Sequence, residues 1–147
     1  MKSIFDQTTS TELIERISML NENSRPQWGK MTVYQMLKHC TLWEDLISGK
    51  KKYKRIFLGR VFGKPALKSL LKDEAPLRKN TPTIPELKIR EDGNVAFEKE
   101  KWISLIREHK SFSDKDIVHP FFGKMTKEQV GYLAYKHTDH HLRQFNC

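Results

Sequence analysis

A chain of 147 residues, 37% hydrophobic and 31% charged, suits one ordinary domain, 1–147, with a single core, and its composition is neither that of a disordered chain nor that of a membrane protein. No apolar run approaches the roughly 20 residues of a spanning helix, and MKSIFDQTTS lacks the apolar stretch of a secretory signal, so a cytoplasmic location is expected. The formal charge of +9 is local: residues 47–72 carry nine basic and no acidic side chains, and the other 18 basic and 18 acidic residues cancel.

That basic stretch has no nucleic-acid reading motif beside it, so the expected partner is a small anionic substrate rather than nucleic acid. Cys40 and Cys147 form no C-x-x-C pair, which excludes a disulfide framework and a cysteine-based zinc knot. A bound metal therefore needs other ligands.

In chain order, the first helix is expected from Thr9, which with Glu12 has the spacing of a capping box, and it carries Leu13, Ile14, Ile17 and Leu20 on one face. It should end before Asn23 and Pro26. The phrase GKMT then occurs twice, at 29–32 and at 123–126, and each copy opens a helix. Thr32 with Gln35, and Thr126 with Gln129, are capping boxes in which the threonine oxygen accepts a free first-turn N–H and the glutamine reaches back. Met31 and Met125, just before the caps, stand where a hydrophobic staple is expected, against Met36 and Val130.

From Thr32 the second helix runs through Met36, Cys40, Trp43, Leu46 and Ile47 and stops at Gly49. The following connection, 49–95, contains RIFLGRVFGKPALKSLLKD, expected as a short basic amphipathic helix with Pro65 in its first turn and Leu67, Leu70 and Leu71 on one side. Pro76, Pro82 and Pro85 then favour an extended crossing segment. A further helix follows EDGN and carries Trp102, Leu105, Ile106 and His109. No stretch alternates convincingly enough for a sheet. The expected fold is all-α: a four-helix bundle with a long crossover between its second and third main helices.

On the last helix Val130, Leu133, Ala134, His137, His141 and Phe145 form one stripe, with His140 at its edge and Asp139 on the opposite side. His137 and His141 are one turn apart, close enough for both rings to meet one ion. His39 shares the inward face of the second helix with Met36, Trp43 and Leu46. A single histidine on an apolar face is commonly a core residue bonded to a carbonyl. Three of them would bury several polar nitrogens, which one divalent ion satisfies together while keeping a coordination position open. His109 is expected at an exposed helix end, and His119, before Pro120, in a loop. Met19, Trp28, Phe121 and Met125 are candidates for a homodimer interface or for the core.

The segments RPQWGKMTVYQMLKHC, FLGRVFGKPALKSLLKD and HPFFGKMTKEQVGYLAYKHTDHHLRQF together resemble a branch of the DinB-like superfamily catalogued as a domain of unknown function. The likeness covers nearly the whole chain, and MLKHC with KHTDHHLRQF is its most specific part. It implies a four-helix bundle holding zinc or nickel through three histidines, which here match His39, His137 and His141. Relatives that use mycothiol, bacillithiol or glutathione imply a transferase activating a low-molecular-weight thiol cosubstrate. A metal-dependent hydrolase and a non-catalytic stress or anion-binding protein are the alternatives.

Overall fold

The computed structural model describes residues 1–112 and 117–147. Among them are five α-helices: α1 Gln7–Ser18, α2 Val33–Ile47, α3 Phe57–Leu70, α4 Val95–Glu108 and α5 Lys127–Gln144. Two short 3₁₀ turns occupy Pro85–Leu87 and His109–Ser111, and a hairpin joins β1, Ile117–His119, to β2, Gly123–Met125. None of the helices is long and apolar enough to cross a membrane.

Both capping boxes form with the same geometry. Gln35 N donates to Thr32 Oγ1 at 3.2 Å and Thr32 N to Gln35 Oε1 at 3.1 Å; Gln129 and Thr126 repeat these distances. These bonds satisfy first-turn donors that have no partner within the helix, and they fix where α2 and α5 begin. Asn94 caps α4 by accepting from Phe97 N at 2.8 Å. Gly49, at φ +75°, ends α2 in a conformation that costs a side-chain-bearing residue energy.

The expected start of α1 at Thr9 is not observed. The helix begins at Gln7 after Asp6, and Thr9 is buried inside it. The entry is set by tertiary anchoring: Ile4 is buried and its N–H donates to Gly131 O at 3.1 Å, while the Asp6 carboxylate accepts from Ser3 N at 3.3 Å.

Pro65 likewise lies inside α3 rather than in its first turn. It cannot donate to the Val61 carbonyl. Both residues are on the exposed side of the helix, where water can take that acceptor.

The expectation of no sheet is corrected by the hairpin, whose antiparallel register pairs Ile117 with Met125, Val118 with Lys124 and His119 with Gly123. Each strand is three residues long and reads buried, exposed, buried, too short for alternation to stand out in the sequence. In the second GKMT, Gly123, Lys124 and Met125 are thus strand, and only Thr126 belongs to the helix cap.

Helices α1 and α2 each pack against α4 and α5 around one core. Leu13, Ile17, Met36, Leu37, Trp102 and Leu142 are completely or almost completely buried there, and Met125 joins them. The crossover contributes Leu67, Ile84 and Leu87 to the same cluster. Helix α5 is enclosed on its polar side too. Asp139, opposite the apolar stripe, is buried because Arg16 of α1 donates to it at 2.8 Å and Arg143 at 2.7 Å.

Candidate metal centre

With the start of each helix set by its cap, His39 on α2 and His137 and His141 on α5 face a common point. One ring nitrogen from each lies within 4.8 Å of the others, and the group could hold a metal ion. His39 Nε2 and His137 Nε2 are 3.1 Å apart. Ring centroids are 5.2 Å apart for His39 and His137, 4.9 Å for His39 and His141, and 4.7 Å for His137 and His141.

The other ring nitrogens determine which lone pairs remain. His39 Nδ1 is 2.9 Å from the Leu87 carbonyl, which can only accept, so Nδ1 carries the proton and Nε2 is left as a lone pair. His141 Nδ1 is 2.9 Å from Gln144 Oε1, and the Gln144 amide is oriented by its Nε2 donating to Trp28 O at 2.9 Å. That leaves His141 Nε2 as an acceptor as well. His137 stacks on Trp43, with centroids 4.2 Å apart and planes at 16°. Carbonyl and carboxamide partners behind imidazole ligands are the arrangement that holds ring and tautomer in place at metal sites.

Burial lowers the pKa of all three rings, most strongly for His137 and His141. Neighbouring histidines add to the effect: His141 and His39 on His137, and His39 on His141. The group therefore presents neutral imidazoles, the form that coordinates. Two facing imine nitrogens repel at 3.1 Å unless a proton or a cation stands between them. A neutral His137 donating Nε2–H to His39 would satisfy that pair but offer nothing to His141 Nε2, which has no hydrogen-bond partner among the described residues. A tetrahedral ion with Zn–N bonds of about 2.0–2.1 Å needs donors about 3.4 Å apart. The closest pair, at 3.1 Å, and the 4.8 Å limit for the whole group lie on either side of this value, and three ligands leave a position open.

His140 stands outside the group, half-buried, with its ring edge against Trp28 and His141. His109 is not exposed as expected: it is buried, and its Nε2 lies 2.8 Å from Glu44 Oε2, while Trp102 Nε1 donates to Glu44 Oε1 at 3.4 Å. His119 is buried in β1 rather than in a loop. Its Nδ1 accepts from Phe121 N at 3.1 Å and Phe122 N at 3.3 Å, and burial, helped by the Arg55 charge, pushes its pKa down to about 4.

Gln144, Leu87 and Trp43 are the supporting residues that histidine spacing does not announce. Gln144 follows His141 by three residues, a same-face spacing that could have pointed to it. The Leu87 carbonyl carries no such signal, because a backbone atom from the crossover reaches the site only through the fold.

Fold and site together define a mostly helical protein with a three-histidine group able to hold a metal ion. Residues 3–147 match the family described as Protein of unknown function (DUF1569), and the chain belongs to that family. No curated protein and no solved structure matches it.

Proposed function

We propose that His39, His137 and His141 are the ligands of a divalent metal, zinc or nickel, in a four-helix bundle of the DinB-like superfamily, and that the protein is a transferase acting through a low-molecular-weight thiol. The observation that carries the metal reading is the 3.1 Å approach of His39 Nε2 to His137 Nε2, with Leu87 and Gln144 holding the Nδ1 protons on the far side of His39 and His141. A divalent ion bound there would lower the pKa of a thiol or water in its open position. Trp43 stacks on His137, and burial lowers the pKa of all three rings, which favours the neutral form. The thiol reading rests on the DinB-like resemblance of MLKHC and KHTDHHLRQF.

The test is elemental analysis of protein purified without a metal-affinity step. A stoichiometric divalent ion is expected, lost in His39→Ala, His137→Ala and His141→Ala and kept in His140→Ala. Full retention by any of the first three would refute the ligand set. Thiol-dependent conjugation of an electrophile, assayed with loaded and stripped protein, tests the reaction; consumption of the electrophile at the same rate without thiol would favour the hydrolase.

A further inference from the structure

The basic stretch 47–72 takes no part in the histidine group, and most of it surrounds α3. That helix shows three faces at helical spacing. Gly59, Gly63 and Leu67 turn toward the body of the protein, where a side chain on either glycine would collide with the Phe121 backbone. The outward face holds Phe57, Leu58, Val61 and Phe62, exposed by 77%, 59%, 57% and 56%. Arg60, Lys64 and Lys68, four residues apart, line one edge of it. Arg55 clamps the helix to the hairpin through the carbonyls of His119 at 3.0 Å and Gly59 at 3.2 Å. The glycine contact and this clamp fix which face looks outward.

Four large apolar side chains held together in water are costly, and such a patch on a helix marks a contact surface. Its charge chooses among occupants. A second copy would bring the same basic residues face to face. A duplex nucleic acid would satisfy the cations and leave the aromatic rings in water. An anionic bilayer satisfies both: the rings enter the acyl boundary, and the basic edge lies at the phosphates. Among the described residues no carboxylate pairs with Arg60, Lys64, Lys68, Lys51, Lys52 or Lys54. Lys64 Nζ donates to the backbone carbonyl of Lys124, a bond that leaves its positive charge uncompensated. The charge of these residues is thus available to lipid phosphate.

We propose that the outer face of α3 docks the protein on an anionic lipid surface, with the helix lying in the plane of the interface.

The experiment is co-sedimentation of the full chain with extruded vesicles of phosphatidylcholine alone, or with about a quarter phosphatidylglycerol, at low and high salt. Binding is expected to the anionic vesicles at low salt, weakened by salt, and not to the neutral ones. Leu58→Ser combined with Phe62→Ser should weaken it at least about tenfold. Lys68→Ala should weaken it about fivefold. Circular dichroism of both variants should match the parent, because all three side chains are exposed. No binding to anionic vesicles at low salt, or binding that the double substitution leaves intact, overturns the proposal. So does a dimer that the double substitution dissociates, which would assign the face to a second copy. Duplex DNA binding without vesicle binding would assign it to a polyanion.

Discussion

The carboxamide of Gln144 joins two distant parts of the chain at the histidine group: its Oε1 is 2.9 Å from His141 Nδ1 and its Nε2 is 2.9 Å from the carbonyl of Trp28. The second bond prevents the amide from flipping and so keeps an acceptor, not a donor, against the ring. Gln144→Ala is expected to weaken zinc binding by about 10–100-fold. Competition with a chromophoric chelator measures this, and an unchanged affinity would remove Gln144 from the site.

Metal should also stabilise the fold, because the three rings converge only in the native state. At free zinc about a hundredfold above Kd, the gain is about 2.7 kcal/mol. This corresponds to a rise in Tm of about 5–10 °C for a chain of this size. Differential scanning calorimetry with and without zinc reads it directly. In the His39→Ala, His137→Ala double variant the rise should vanish.

Glu44 is buried, and its carboxylate has His109 Nε2 at 2.8 Å and Trp102 Nε1 at 3.4 Å, tying α2 to the end of α4. His109→Ala leaves that carboxylate with one long hydrogen bond and a cavity beside it. A loss of about 3 kcal/mol is expected from urea unfolding, with the slope against denaturant unchanged. A loss below about 1 kcal/mol would mean that the pair contributes little to stability.

His119 makes stability depend on pH. Its pKa is about 4 in the fold and about 6.5 in the unfolded chain. Between these values the unfolded state binds the proton and the native state does not. Stability is therefore complete above about pH 6.5 and falls as pH drops toward 4. The contribution is about 3 kcal/mol across that window. His119→Asn, whose Oδ1 can replace Nδ1 as acceptor for Phe121 N and Phe122 N, should fold and show a shallower acid slope. An identical slope would place the titrating group elsewhere.

How much could be read from residues alone differed from element to element. The two capping boxes, the Gly49 stop and the Asn94 start depend on contacts within a few residues, so local chemistry sufficed for α2, α4 and α5. Stripe spacing likewise singled out His39, His137 and His141, which the structure brings within 4.8 Å. The Thr9 cap failed because Ile4, anchored on α5, determines how the chain enters α1. The hairpin escaped notice because its strands are shorter than the pattern that would reveal them.

Periodicity within one helix says which residues share a face, since backbone hydrogen bonds hold their angular relation whatever lies outside. It does not say what that face meets. Packing alone turned His109 inward against Glu44, covered the polar side of α5 with Arg16, delivered the Leu87 carbonyl to His39 and left the aromatic side of α3 outward. The first three join residues far apart in the chain, and a distance of that kind exists only once the helices have been brought together.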